Sequence, residues 1–155
     1  KLPEPIINKG GCNLSFAGLK TAVLKISKVI KTRQDKYDLA ASFQKTIENI
    51  LHKKTKVAFK EYKKISTKNK NIFVIAGGVA ANKKIRKNLT DLAIEENFKP
   101  IFPSQDLCGD NAAMIAVAGL ERFKMKKFSN LNFSAKPRWQ LDSKAIFLKG
   151  AGVKL

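Results

Sequence analysis

Asn71-Ile72-Phe73-Val74-Ile75-Ala76-Gly77-Gly78-Val79-Ala80-Ala81-Asn82 sets the fold class. Residues 71–76 are almost all apolar, with β-branched and aromatic side chains, as in a strand buried on both faces. Gly77-Gly78 ends the run, and residues 82–97 regain a helical spacing of three and four through Ile85, Leu89, Leu92 and Ala93. Lys99 to Phe102 reads as a second strand, stopped by Pro103. Residues 111–125 read as a further helix, and Ala112, Met114, Ile115, Val117, Ala118 and Leu120 make it apolar nearly all round, so it is expected to be buried. Strand, helix, strand, helix from 71 to 125 predicts an α/β unit with parallel pairing.

Upstream, residues 1–13 form an irregular lead-in with Pro3, Pro5 and Gly10-Gly11. Leu14-Ser15-Phe16 is a short strand candidate. Leu19, Val23, Ile26 and Ile30 predict a helix from Gly18 to about Lys31. After a break at Thr32-Arg33-Gln34, apolar residues from Tyr37 through Ile47, Ile50 and Val57 to Ile65 mark one long helix, with Asp35 or Asp38 as its cap. Residues 128–155 read as an irregular tail. No internal repeat or low-complexity linker separates these parts.

With 44% apolar residues in 155, the chain can bury a core, which excludes disorder for most of it. No apolar run approaches the roughly 18 residues of a membrane helix. Cys12 and Cys108 form no Cys-x-x-Cys, which argues against a zinc knuckle or disulfide framework and for a reducing, cytoplasmic setting. His52 is the single histidine, so no site needing two imidazoles is built from this chain alone; on its helix it reads as a surface residue. The sequence opens at Lys1 with no apolar signal core behind it, which suggests a fragment rather than a secretory leader.

A net charge of +19 points to a polyanion such as RNA, although a lysine surplus also solvates a surface. All but four of the 31 cationic residues are lysine, the exceptions being Arg33, Arg86, Arg122 and Arg138. The densest cluster runs from Lys53 to Lys70, with smaller ones at Lys83-Lys84-Ile85-Arg86-Lys87 and from Arg122 to Lys127.

Three segments offer chemistry. At Gly77-Gly78 the backbone admits a close ligand, and the following helix start offers free N–H groups; a tight structural turn is the alternative. Asn82 either caps that helix or bonds a sugar hydroxyl. Cys108-Gly109-Asp110-Asn111 follows the next strand, where open α/β sheets bind ligands, so both loops are expected to face one crevice. There Asp110 and Asn111 either cap a helix or, for Asp110, hold a metal. Ser15-Phe16-Ala17-Gly18-Leu19-Lys20 is a strand-to-helix turn or carries a nucleophilic Ser15, for which no base is in sight. Cys108 reads as packed rather than reactive.

Taken together and in order, these segments resemble the C-terminal half of the bacterial tRNA N6-adenosine threonylcarbamoyltransferase family, formerly labelled O-sialoglycoprotein endopeptidase or glycoprotease. The matching motifs are Ser15-Phe16-Ala17-Gly18-Leu19-Lys20-Thr21, Ala76 to Asn82, Cys108-Gly109-Asp110-Asn111-Ala112-Ala113-Met114-Ile115-Ala116, and Pro137-Arg138-Trp139-Gln140-Leu141. Ala17, Gly109 and Gln140 stand where the family usually has serine, threonine and proline.

The resemblance implies an actin-like ATPase-domain fold, of the sugar kinase and Hsp70 kind, with residues 1–155 as a single, incomplete C-terminal lobe of a two-lobed enzyme. It implies transfer of threonylcarbamoyl from threonylcarbamoyl-adenylate to N6 of the adenosine beside the tRNA anticodon. It further implies that Asn82, Gly77 and Gly78 bind the adenylate, and that Asp110 binds one divalent metal ion, iron in the family. Two histidines of the N-terminal half complete that metal site and are absent from this chain, so the chain alone is expected to be inactive. Implied partners are tRNA, the missing N-terminal half, a paralogous actin-like subunit and a small ATPase, with no membrane. Lys53, Lys54, Lys83, Lys84, Arg86 and Lys87 are the candidate tRNA contacts. The resemblance assigns no catalytic residue and no role to Ser15, Lys20, Arg138 or Trp139. The rival readings are a non-catalytic RNA-binding or scaffold module and a metalloendopeptidase of the glycoprotease type; the lack of His-Glu-x-x-His weighs against the latter.

Overall fold

Thr32 starts the longest element. In the computed structural model, which describes residues 2–66 and 70–135, the Thr32 hydroxyl accepts the Asp35 N–H at 3.0 Å and the Asp35 carboxylate accepts the Thr32 N–H at 3.0 Å. This reciprocal box satisfies two donors that a helix start leaves orphaned, and it moves the start ahead of either aspartate as cap. Helix α2 then runs Arg33–Ile65, 33 residues, with Asp35 in its first turn and Lys63 and Lys64 in its last, both matched to the helix dipole.

The other elements are helix α1 (Ala17–Ser27), strand β1 (Ile72–Val74), a tight helical turn at Gly78–Ala81, helix α3 (Lys83–Glu95), strand β2 (Lys99–Ile101), a second tight turn at Gln105–Leu107 and helix α4 (Ala112–Lys124). β1 and β2 pair in parallel, Phe73 opposite Pro100, as the strand–helix–strand pattern requires. The chain divides into two compact units, Lys1–Gly109 and Asp110–Leu155.

In the first unit, α2 carries two apolar patches. Towards its start, Ile50 packs with Leu19 of α1 and Leu2 of the lead-in, flanked by Leu39 and Ile47. Towards its end, Phe59 packs with Leu92, Ala93 and Phe98, flanked by Tyr62 and Phe73. The Phe59 ring stacks on Phe98 with centroids 3.9 Å apart and meets Phe73 edge-on at 4.9 Å. Phe98 arrives there because α3 ends in a Schellman motif. The Phe98 N–H bonds Ala93 O at 2.7 Å and the Asn97 N–H bonds Ile94 O at 3.1 Å, with Asn97 at φ 60°. Asparagine tolerates that left-handed conformation, and the reversal delivers the chain to β2.

α3 lies along α2 in the same sense. His52 Nδ1 is 3.1 Å from Asn88 Oδ1, Lys56 pairs with Glu95 and Glu96 at 3.6 and 3.5 Å, and Lys63 pairs with Glu96 at 2.9 Å. His52 is thus a half-buried inter-helix contact rather than a bare surface residue.

The second unit contributes α4, capped by Asn111, whose Oδ1 accepts the Met114 N–H at 3.0 Å. The chain then turns back through Lys126 at φ 53°, and Phe123 meets Phe128 edge-on at 5.9 Å.

Three expectations are corrected. Leu14-Ser15-Phe16 is not a strand, because among the described residues the sheet consists of β1 and β2 and offers it no partner. β1 is not buried on both faces: Phe73 points into the Phe59 cluster, whereas Ile72 and Val74 are exposed, since helices cover one side of the pair. α4 is not buried, and Ile115 and Phe123 are about two-thirds exposed at 67% and 66%. Part of the expected tail, residues 136–155, lies outside the described residues, and so do Arg138 and Trp139. Among the described residues no helix is long and apolar enough to cross a membrane.

The carboxylates that tie these elements together titrate low. Hydrogen bonding from Lys63, opposed by desolvation and aided by the Lys63 and Lys56 charges, holds Glu96 below its ordinary 4.5. The Thr32 N–H, then the Thr32 hydroxyl and the Lys31 N–H, hold Asp35 below 3.8. A carboxylate with a lowered folded pKa stabilises the fold fully above its unfolded value, and that contribution disappears as pH falls through the folded value. The urea midpoint is therefore expected to fall below pH 4.5 and further below 3.8, and Glu96→Gln is expected to flatten the first part of that fall.

Candidate functional site

Gly77 has φ 89° and ψ 164°, a conformation that a β-carbon disfavours. It lets the chain leave β1 and enter the Gly78–Ala81 turn, closed by the Ala80 N–H on Gly77 O at 2.9 Å. A β-carbon built on Gly77 or Gly78 would meet nothing within 4 Å, so both backbones border open space. The tight turn of the alternative reading is therefore present, with open space beside it.

Asn82 resolves its two alternatives in one direction without closing the other. Its Oδ1 accepts the N–H groups of Lys84 and Ile85 at 3.0 and 3.1 Å and so caps α3. Its Nδ2 donates to Gln44 Oε1 in a long contact of 3.4 Å, and Gln44 Nε2 donates to Glu48 Oε1 at 3.1 Å. Glu48 is buried at 3% exposure, so the chain Glu48–Gln44–Asn82 is anchored at its inner end. Asn82 itself is exposed and keeps its second Nδ2 hydrogen.

Between α2 and this turn lies an open concavity of about 490 Å³, walled by Ala40, Phe43, Ile47 and Val79, with Gln44 and Asn82 as its polar groups. Phe43, at 40% exposure, leaves its ring available there. An apolar wall with a few fixed polar groups is the usual make-up of a small-molecule site. The α2 side of this wall was not foreseen. Phe43 fits the 3.6-residue stripe of a core helix, and only its incomplete cover marks it as more than core.

The loop after β2 meets the same turn. Arg86 Nε donates to Ala80 O at 3.0 Å and its terminal Nη2 to Cys108 Sγ at 3.3 Å. Cys108 is buried at 3% exposure, as expected of a packed thiol. Asp110 is exposed and opens the second unit. Asn111, not Asp110, caps α4, so capping does not occupy the Asp110 carboxylate.

The candidate tRNA contacts separate in the structure. Lys54 is buried, and its Nζ donates to Lys9 O at 2.7 Å and Gly11 O at 3.1 Å. It thus clamps the lead-in, and burial removes it from the set. Lys53 is exposed but paired with Glu4 at 2.6 Å. Lys83, Lys84 and Lys87 are exposed, Lys87 pairing with Asp91 at 3.1 Å.

Among the described residues no three His, Cys, Asp or Glu side chains converge. One carboxylate falls well short of the donor set a metal needs, so these residues do not build a metal site by themselves.

Comparison with known proteins agrees with the family resemblance seen in the sequence. A family model described as tRNA N6-adenosine threonylcarbamoyltransferase matches residues 1–117. The chain belongs to this family. The tRNA N6-adenosine threonylcarbamoyltransferase of Pelagibacter ubique (strain HTCC1062) is 72% identical over 100% of the chain, which covers 43% of that protein. Those of Rickettsia rickettsii (strain Sheila Smith) and Rickettsia conorii (strain ATCC VR-613 / Malish 7) are each 50% identical over 92% of the chain, covering 42% of each. The chain thus spans less than half the length of these relatives, and its family is one of tRNA-modifying transferases.

Asn82→Ala removes the cap and is expected to lower stability by about 1 kcal/mol. Asn82→Asp keeps an oxygen for the Lys84 and Ile85 N–H groups and is expected to hold the wild-type melting temperature, while losing the donor to Gln44. Thermal melting followed by circular dichroism compares the two.

Proposed function

We propose that this chain forms the adenylate-holding lobe of a tRNA N6-adenosine threonylcarbamoyltransferase, the C-terminal lobe of a two-lobed actin-like enzyme. The observation that carries the reading is the concavity at which Gly78 presents open backbone and Asn82 presents a fixed amide, with Gly77 turning the chain just before it. The adenine ring packs on Phe43 and Val79, the ribose meets the Asn82 N–H, and the glycines admit the phosphate side.

The donor is a mixed anhydride of a carbamate and a phosphate. The exocyclic N6 of adenosine attacks its carbonyl carbon, the carbonyl–oxygen bond to phosphate breaks, and AMP leaves while N6 gives up a proton. N6 is a weak nucleophile, so holding the two reactants in line supplies much of the acceleration. This chain's share is positioning, through the turn, Asn82 and the α2 wall. Asp110 would supply one carboxylate to a divalent metal whose other ligands would come from the N-terminal portion, and such a metal would polarise the donor's carbonyl or phosphate.

The tRNA backbone runs over the exposed lysines. α3 opens with Lys83 and Lys84 and has no acid in its first turn. Cations at a helix N-terminus oppose its dipole, so these lysines add nothing to the helix and serve a polyanion better. On this reading the enzyme acts in the cytoplasm beside its paralogous subunit and small ATPase.

Transfer of threonylcarbamoyl to tRNA is expected when the chain is joined to the N-terminal portion of the Pelagibacter ubique relative, and not from the 155 residues alone. In the joined protein, Asn82→Asp is expected to raise the KM for threonylcarbamoyl-adenylate about tenfold, as losing one good hydrogen bond does. Asp110→Ala is expected to abolish transfer. A joined protein that binds tRNA with steep salt dependence yet binds no adenylate would instead make the lobe an RNA-binding module.

A further inference from the structure

The basic run Lys83-Lys84-Ile85-Arg86-Lys87 does not behave as one surface. Ile85 is buried and the three lysines are exposed, while Arg86 is half-buried. Two of its guanidinium donors and one face of the plane have internal uses. Nε donates to Ala80 O at 3.0 Å, Nη2 donates to Cys108 Sγ at 3.3 Å, and the planar group lies over the Phe102 ring, 4.6 Å from its centroid. Ala80 and Cys108 are buried, at 2% and 3% exposure, so both partners are reached from inside the fold.

We propose that Arg86 is a positioning residue for the adenylate, a clip that fixes the Gly78–Ala81 turn against the loop ending at Cys108, and not a tRNA contact. The inference rests on the adenylate reading above and deepens it. Ala80 sits between the two parts of the turn assigned to the ligand, Gly77-Gly78 before it and Asn82 after it. A donor on Ala80 O holds the turn from its inner side and leaves the outer side open. Phe102 and Cys108 follow β2, so the same guanidinium ties the turn after β1 to the loop after β2.

The chemistry requires arginine. Its rigid planar fork places two donors at fixed angles while the plane stacks on an aromatic ring, and it stays charged at all working pH. Lysine carries equal charge but has one nitrogen and no plane. A phosphate contact would survive Arg86→Lys in large part, whereas a clip would not.

The joined protein described above is the test system, with Arg86→Lys and Arg86→Ala. Both variants are expected to raise the KM for threonylcarbamoyl-adenylate about tenfold, with a smaller change in kcat and an unchanged tRNA KM and salt dependence. Near-ultraviolet circular dichroism confirms the fold, and Arg86→Lys carries the test if Arg86→Ala does not fold. Wild-type kinetics in Arg86→Lys would overturn the proposal, as would a loss confined to tRNA binding that deepens with salt. A separate readout does not need the adenylate. In the 155-residue chain carrying Cys12→Ser, where Cys108 is the remaining thiol, Cys108 is expected to react with a thiol reagent about tenfold faster in Arg86→Lys than in the parent, as local opening made easier by about 1.4 kcal/mol would give. If the parent binds no adenylate, the functional reading fails while this rate still decides the clip; an unchanged rate refutes the clip.

Discussion

Phe59 is the residue on which the first unit turns. Its ring stacks on Phe98 and takes the edge of Phe73, so one side chain of α2 joins the end of α3 to β1. Neither strand is long enough to stand alone: each has three residues and the pair is open on one side. A two-stranded ribbon is marginal in water without packing on one face. Once Phe73 is seated, the direction of β1 is set. Gly77 can then turn the chain so that the Gly78–Ala81 turn faces Phe43 and Gln44, some sixteen residues and about 24 Å back along α2. Helix α3 runs alongside between the two, with Leu92 at the aromatic end and Ile85 at the concavity. The site therefore depends on packing at the far end of the same two helices.

The charges follow the same geometry. Glu95 and Glu96 are spent on Lys56 and Lys63 between α2 and α3, Glu4 on Lys53 at the lead-in, and Glu61, Asp91 and Glu121 on lysines of their own helices. Exposed pairs of this kind contribute little each. Their effect here is distribution: many acids are paired, and among the described residues no ion pair involves Lys83 or Lys84, which stand exposed. A run of basic residues in the sequence thus separates into Lys54 as an internal clamp, Arg86 as an internal fork and lysines that face water.

Much of this architecture was legible from hydrophobic period and turn residues. α3 and β2 fall within a residue or two of their expected bounds, because Ile85, Leu89 and Leu92 keep a strict helical spacing and Pro103 stops the strand. The start of α2 was misplaced because the signal lay in a pair, Thr32 with Asp35, rather than in one residue. The exposure of α4 and of Ile72 and Val74 was illegible for another reason. Apolar content says that a surface seeks cover, not that the cover lies among the described residues. Gly77, Gly78 and Asn82 could be singled out, but Phe43, Gln44 and Glu48 could not, because a helix face that lines a ligand site has the same period as one that lines a core.

The buried end of the Glu48–Gln44–Asn82 chain also sets what the site can recognise. A carboxylate only accepts, so Gln44 must turn its Nε2 towards Glu48 and its Oε1 towards Asn82. Asn82 must then present Nδ2 to Gln44 and Oδ1 to the N–H groups of Lys84 and Ile85, which demand an acceptor in any case. Both neighbours impose the same amide orientation, and neither can be satisfied by the flipped one. What Asn82 retains for a ligand is a hydrogen to give. A ligand atom that meets it must be an acceptor, such as a ribose oxygen or a purine ring nitrogen, and an exocyclic amine is refused. On the proposed reading, Asn82 would meet the donor's nucleoside at an acceptor atom and would leave an exocyclic amine unbound.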